Sequence, residues 1–264
     1  RCMMIMERMI VQNDESDKYS DYRYMFTSKG PQEVNRSKEK HIYPLWRFLY
    51  PPNKKKNVTS VCWNPKYGDM FVVGFGTYDF GKKKSAGSVC MFSIKNTNYP
   101  EMIIQTDDAV MSLDFHPKAP ALLAIGLYDG VVLVYDVRNR DKLPIYQSSV
   151  KTQKHTDPVW QIMWNTDITK YYNFYSISSD GRVMNWILMK DKLEPEEVIK
   201  LKLINKKNKQ SDEETSLISL ACGLCFDFNK FDPFTFIVGT EEGNIHKCSK
   251  AYSGQFQETY DGHQ

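Results

Sequence analysis

The sequence lacks the patterns that mark membrane helices, nucleotide-binding loops and zinc proteases. No apolar run is long enough to cross a bilayer, and neither GxxxxGK[ST] nor HExxH is present. Gly74-Phe75-Gly76 is too short to hold a phosphate. The sequence therefore predicts no enzyme, no cofactor and no membrane insertion.

Cysteine and net charge are also low. Six cysteines are scattered, several of them in predicted strands, which suits reduced thiols in the cytosol better than a disulfide framework. Cys222 and Cys225 have metal-ligand spacing, but residues three apart in a strand face opposite ways, so no zinc site is expected. A net charge of +3 gives no argument for nucleic acid, and Glu7 and Arg8 interrupt the first apolar run, unlike a secretory signal.

A β-rich unit recurs four times along the chain. Each copy has a first strand that ends on an aromatic residue, namely Trp63, Phe115, Trp164 or Phe228. A turn glycine follows in each copy (Gly87, Gly130, Gly181, Gly243), and five residues later comes Phe92, Tyr135, Trp186 or Cys248. One such sheet cannot bury both of its faces alone, and the unit length is near that of WD-type propeller repeats.

This repeat predicts an all-β, WD-repeat β-propeller. We expect residues 57–264 to form blades one to four, at about 57–104, 109–148, 158–204 and 220–260. WD-type propellers have more blades than four, so we expect an incomplete ring that is seven-bladed when complete. Residues 1–56 are expected to form a helix over 1–12, an extended arm, and a closing outer strand over 45–50.

Blade three contains the residue types of a buried hydrogen-bond network. His155, Ser178, Asp180 and Trp186 are predicted to join so that Asp accepts from His, His from Ser, and Ser from the indole N–H. A His with a Ser and an Asp also invites a hydrolase interpretation, which we reject because the Ser would lie within a strand.

Two loops have less regular composition. The basic tip Lys82–Lys84 is interpreted as a solvated hairpin end rather than a phosphate or acidic-partner site. The 205–216 segment changes sign from basic to acidic and is expected to be a surface loop.

Several stretches resemble the axonemal outer-arm dynein intermediate chains. They include VTSVCWNPKYGDMFVVGFGTYDF, HTDPVWQIMWN, SISSDGRVMNW and FIVGTEEGNIHKC, with IMERMIVQN and PLWRF before the repeats. The resemblance implies a seven-bladed propeller that binds a dynein heavy-chain tail and pairs with a second intermediate chain. It also implies light-chain binding through an upstream region, and a place in the cytoskeleton of the ciliary axoneme.

The expected function is thus a non-catalytic scaffold of a ciliary motor. Candidate partner-contact residues are the helix residues Met6 and Met9 and the aromatic residues Tyr78, Tyr99, Tyr128 and Trp160, for each of which core packing is the alternative. A WD-repeat adaptor of another complex, such as a substrate receptor, stays open as the alternative function.

Overall fold

A computed structural model of the chain describes residues 2–14, 47–77, 86–139, 141–165, 171–202, 220–252 and 256–263. The chain divides into two compact units, Arg1–Leu49 and Tyr50–Gln264. The first unit contains the helix α1 (Cys2–Asp14), and the second contains all sixteen described strands.

Helix α1 confirms the predicted N-terminal helix but has no buried face. Every described residue in it is exposed, and its apolar side chains are 52–83% exposed. The helix is too short and too mixed in composition to cross a membrane, and it is the one described α-helix.

The strands form four four-stranded antiparallel sheets, which confirms the predicted fold class. Each sheet uses four consecutive strands in chain order. Sheet one contains β1 (Asn57–Trp63), β2 (Met70–Gly76), β3 (Gly87–Ser93) and β4 (Met102–Thr106). Sheet two contains β5 (Val110–Phe115), β6 (Leu122–Leu127), β7 (Val132–Asp136) and β8 (Tyr146–Gln147). Sheet three contains β9 (Val159–Trp164), β10 (Asn173–Ser178), β11 (Arg182–Leu188) and β12 (Leu193–Lys200), and sheet four contains β13 (Gly223–Phe228), β14 (Thr235–Thr240), β15 (Asn244–Ser249) and β16 (Glu258–Asp261).

Successive sheets pack face to face and share their cores. One apolar cluster joins Val89 of sheet one to Leu123 of sheet two, and a second joins Val132 of sheet two to Trp186 of sheet three. A third joins sheets three and four. Because both faces of the inner sheets are covered, all six residues of β10 are buried.

The predicted turn glycines are confirmed in three sheets. Gly130, Gly181 and Gly243 have φ of 83°, 75° and 83°, a conformation that glycine adopts without a Cβ penalty. Gly87 instead begins β3, and a Cβ there would lie 2.4 Å from the main-chain oxygen of Asp108, so close approach to sheet two explains this glycine.

The chain direction gives each sheet two distinct ends. In an antiparallel meander the turn between strands two and three lies at the same end as the start of strand one. We call this end the hairpin rim. The opposite end carries the first-to-second and third-to-fourth connections, and we call it the loop rim.

Some expectations about connecting segments stay untested. No strand covers residues 47–50, and 45 and 46 lie outside the described residues, so the closing strand stays a prediction. Most of the arm, the Lys82–Lys84 tip and the 205–216 loop also lie outside them.

Candidate functional site

A buried polar network lies at the hairpin rim of sheet three. His155 precedes β9 and is 0% exposed. Its Nδ1 lies 2.9 Å from Oδ2 of Asp180, and its Nε2 lies 2.7 Å from Oγ of Ser176. The indole Nε1 of Trp186 donates to the same Ser176 Oγ at 2.7 Å. Four side chains therefore join strands β10 and β11, the turn between them and the loop before β9.

The donor roles in this network follow from the indole, which can only donate. Ser176 Oγ accepts from Trp186, so its own proton is directed to Nε2 of His155, and Nδ1–H of His155 donates to Asp180. Each of the four linked side chains then has a hydrogen-bond partner for its buried polar group, as a polar cluster inside an apolar core requires.

Asp180 lies at the end of the network, and Arg182 balances its negative charge. Burial alone would raise the pKa of Asp180, but the hydrogen bonds from His155 and Arg182 lower that pKa to about 2. Arg182 Nη2 lies 2.7 Å from Asp180 Oδ2 and also donates to the main-chain oxygen of Lys154 at 3.1 Å. The ionised carboxylate thereby ties the β10–β11 turn to the loop before β9.

The prediction that Ser178 belongs to this network is wrong. Phe174 pairs with Trp186 and Ser176 with Met184, so Ser176 is the diagonal neighbour of Trp186 on one face. Ser178 lies two residues nearer the turn and donates to the main-chain oxygen of Asp157 at 2.9 Å. The pairing register of β10 and β11, read outward from Gly181, is the signal that could have identified Ser176.

The Ser, His and Asp of this network do not form a hydrolytic site. Ser176 and His155 are both 0% exposed, so no substrate can reach the hydroxyl. The described residues also contain no cluster of three His, Cys, Asp or Glu side chains that could hold a metal ion. The physical role of the network is to fix the hairpin rim.

Polar links between the first strands hold neighbouring sheets in register, and no pattern in the sequence predicts them. Asp114 Oδ2 of β5 accepts from the main-chain nitrogen of Trp164 at 2.8 Å, and Gln161 Oε1 of β9 accepts from the main-chain nitrogen of Phe226 at 2.9 Å. In both cases the acceptor side chain lies on the first strand of one sheet and the donor nitrogen on the first strand of the next sheet. The donor residue is one position further along its strand than the equivalent of the acceptor residue. The first strands therefore run side by side in the same direction.

The structure places two of the aromatic contact candidates on the hairpin rim. Trp160 lies near the start of β9, is half-buried, and donates through Nε1 to Ser179 Oγ at 2.5 Å. Tyr128 lies half-buried in the β6–β7 turn. The partner role of both residues stays a prediction.

The other contact candidates are Tyr99, two methionines of α1 and Tyr78. Tyr99 is on the loop rim, 54% exposed, with its ring edge-to-face against Tyr50 at 5.9 Å. Met6 and Met9 of α1 are 61% and 52% exposed. Tyr78 lies outside the described residues. Tyr99 therefore does not share a rim with Trp160 and Tyr128.

The sequence matches curated proteins over nearly its whole length, although no protein-family model matches it. It is 46% identical over 260 residues to the ciliary dynein intermediate chain 2 of Heliocidaris crassispina. It is 44% identical over 261 residues to the 78 kDa intermediate chain of the flagellar outer arm dynein of Chlamydomonas reinhardtii, and 42% identical to the dynein axonemal intermediate chain 1 of Bos taurus. Each alignment covers 98% of this chain but only 36–38% of the relative.

The fold has a solved counterpart. The β-propeller domain of Cps50 (Swd1) from Myceliophteria thermophila superposes with a TM-score of 0.57 at 12% identity, covering 78% of this chain and 57% of that domain's chain. At that identity the likeness shows the propeller fold alone. The chain has WD-type sheets, and over 98% of its length it is 42–46% identical to homologues that are axonemal dynein intermediate chains, of which it spans somewhat more than a third.

Proposed function

We propose that this chain is part of the β-propeller of a non-catalytic scaffold subunit of an axonemal outer-arm dynein, and that the propeller binds a heavy-chain tail. The observation that carries the proposal is the 42–46% identity to dynein intermediate chains, one of them a flagellar outer-arm chain, over 98% of the sequence. The protein would help to assemble and anchor the motor for ciliary beating. Its location would be the outer dynein arm of the axoneme.

The physical form of the sheets supports a platform role. Shared cores and first-strand links make the four sheets rigid, so the rims hold their loops in fixed positions. Half-buried aromatic residues such as Trp160 and Tyr128 supply the kind of anchor that carries binding energy in protein interfaces.

Two apolar faces support the proposal that further sheets complete a seven-bladed ring. Trp63 is 53% exposed, whereas its equivalents Phe115 and Trp164 are buried against the preceding sheet. On sheet four Ile237 is 47% exposed, whereas its equivalent Tyr175 is buried against Phe228 of the next sheet. Further sheets packed on both faces would bury these side chains as the internal interfaces do.

The remaining partners in this proposal are other dynein subunits. A second intermediate chain would pair with the propeller, and light chains would bind a region upstream of it. Neither nucleic acid nor a membrane has a role in this function.

The test is purification from cilia. An intermediate chain that contains this sequence, expressed with an affinity tag in a ciliated cell, should be recovered from salt-extracted axonemes together with outer-arm heavy chains, identified by mass spectrometry. Recovery with subunits of a ubiquitin ligase and without heavy chains would support a substrate receptor and would contradict the proposal.

A further inference from the structure

Two phenylalanines lie at the surface of the β13–β14 connection, on the loop rim of sheet four. Phe231 is 98% exposed and Phe234 is 62% exposed, and the exposed Pro233 lies between them. Phe231 is the most exposed large apolar residue among those that the structure describes. Two neighbouring exposed rings form an apolar patch, and such a patch marks a contact site more often than a single exposed residue does.

Local hydrogen bonds hold this connection in one conformation. Oδ1 of Asn229 accepts from the main-chain nitrogen of Phe231 at 2.9 Å, and Oδ1 of Asp232 accepts from the main-chain nitrogen of Phe234 at 3.0 Å. The hydroxyl of Thr235 donates to Oδ2 of Asp232 at 3.1 Å. The two phenylalanines are therefore presented by an ordered turn, which loses little conformational entropy when it binds.

The same turn occurs in sheets one and two, where it carries different side chains. Each of the three turns is closed by a bond from a main-chain nitrogen to the main-chain oxygen six positions later: Asn64 to Met70, His116 to Leu122, and Asn229 to Thr235. In each turn the side chain of the first residue also accepts from the main-chain nitrogen two positions later. That later residue is Lys66 in sheet one, Lys118 in sheet two and Phe231 in sheet four. The geometry of the turn therefore does not require a phenylalanine.

A further sheet packed on sheet four would not cover Phe231. Lys66 and Lys118 are exposed, although sheet two packs on sheet one and sheet three packs on sheet two. This position of the turn therefore lies outside the interface between successive sheets. Because Phe231 has the equivalent position, the surface that covers its ring has to come from outside the row of sheets.

The charge beside the two rings indicates the chemistry of that surface. Lys230 directly precedes Phe231, is exposed, and forms no ion pair with any described residue. Asp232, the one acidic residue of the turn, already accepts two hydrogen bonds within it. An apolar pocket bordered by a carboxylate is complementary to two phenyl rings beside an ammonium group.

We propose that Phe231 and Phe234 are the anchors of a protein–protein contact and insert into an apolar pocket of a partner protein, which has an Asp or Glu side chain next to Lys230. Aromatic anchors on a preorganised surface carry a large share of the binding energy in such contacts. The proposal goes beyond the function proposed above and does not depend on it, because the partner is defined by the chemistry of its surface.

The first measurement is hydroxyl-radical footprinting of the full-length protein that contains this sequence. The protein is compared in isolation and in the complex recovered with it from ciliated cells. We expect Phe231 and Phe234 to be oxidised about fivefold more slowly in the complex, since anchor residues are desolvated when bound. Tyr67, which is 49% exposed in the equivalent turn of sheet one, is the reference and should keep its rate.

The second measurement is quantitative mass spectrometry of the proteins recovered with tagged variants. Phe231→Lys combined with Phe234→Ala gives this turn the residues that sheet two has at the same positions, Lys118 and Ala121, so the fold should be kept. Recovery of the partner should fall about tenfold or more, because two anchors are lost. Lys230→Glu should lower the same recovery about two- to fivefold, as the loss of one exposed ion pair does.

Lys118→Ala is the matched control, since it changes the same position in the turn of sheet two, and it should leave every recovery unchanged. Equal oxidation of Phe231 in the isolated and the complexed protein would overturn the proposal, as would full recovery of every partner by the double variant or the same loss with Lys118→Ala. Heavy chains are scored separately in the same samples. Their absence contradicts the function proposed above, whereas the protection of Phe231 decides this proposal.

Discussion

Trp164 binds Asp114 twice across the interface between sheets two and three. Its main-chain nitrogen donates to the carboxylate at 2.8 Å, and its indole Nε1 donates to the main-chain oxygen of Asp114 at 3.0 Å. Cys62 of sheet one lies 3.8 Å from the other carboxylate oxygen, and burial raises the pKa of its thiol to about 11, so it remains a donor. The carboxylate of Asp114 thus links sheets one, two and three.

Asp114 should make the stability of the fold depend on pH. Burial raises the pKa of its carboxyl to about 6, only partly offset by the hydrogen bonds from Trp164 and Cys62. The folded state therefore holds this proton more tightly than the unfolded chain. The contribution of this group to the free energy of unfolding is full below about pH 4 and declines as the pH rises through 6.

Replacing this carboxyl tests that linkage. Asp114→Asn should remove a decline of about 1–3 kcal/mol between pH 4.5 and 7.5, measured by urea unfolding with tryptophan fluorescence. Asp227→Asn, at the equivalent exposed position of β13, is the matched control and should leave the decline unchanged. An Asp114→Asn variant with the pH dependence of the unaltered chain would show that this carboxyl does not cause it.

The network at sheet three should depend on Ser176 and much less on Ser178. Ser176→Ala leaves the indole N–H of Trp186 and Nε2 of His155 without a partner in a fully buried site, which should lower the free energy of unfolding by about 1–3 kcal/mol. Ser178→Ala removes the bond to the main-chain oxygen of the exposed loop residue Asp157 and a long bond of 3.3 Å from the main-chain nitrogen of Asp180. Because both are bonds to main-chain atoms near the surface, the loss should be only about 0.5–1 kcal/mol.

Both variants can be compared by urea unfolding at neutral pH. The two serines are buried in the same strand and lose the same atom. The difference between the unfolding free energies of the two variants therefore measures the contribution of the network. Equal losses, or a larger loss for Ser178→Ala, would contradict the assignment of Ser176.

The exposure of Trp63 tests whether further sheets cover the first face. Hydroxyl-radical footprinting should oxidise Trp63 readily in this chain and Trp164 hardly at all, since their exposures are 53% and 2%. In an intermediate chain that contains this sequence with further sheets, Trp63 should be protected to a level near that of Trp164. Tyr67, 49% exposed in a connection, is an internal reference within the same digest. Equal reactivity of Trp63 in both proteins would argue against ring closure at this face.

The repeats were predictable because they depend on local chemistry. Side-chain alternation, an aromatic strand end such as Trp164, and a turn glycine such as Gly181 are each set by a few adjacent residues. They predicted the order and pairing of the strands within each sheet. The serine of the network was not predicted correctly, because Ser176 and Ser178 share one face of β10 and only the register with β11 separates them.

Contacts between sheets could not be predicted from the sequence, for a different reason. Lys250 and Asn165 are 85 positions apart, and nothing in the composition around either residue indicates the other. Likewise, the link between Asp114 and Trp164 depends on how two sheets stack. Features that depend on such packing follow from the structure alone.

The proposed binding to a heavy chain is tested most directly by the affinity of this chain for a purified heavy-chain tail fragment of outer-arm dynein, measured by sedimentation velocity. We expect a saturable complex at micromolar concentration, weakened by Trp160→Ala if the hairpin rim carries the contact and by Tyr99→Ala if the loop rim does. Absence of any complex at micromolar concentration, with the chain folded as judged by its circular dichroism, would contradict it.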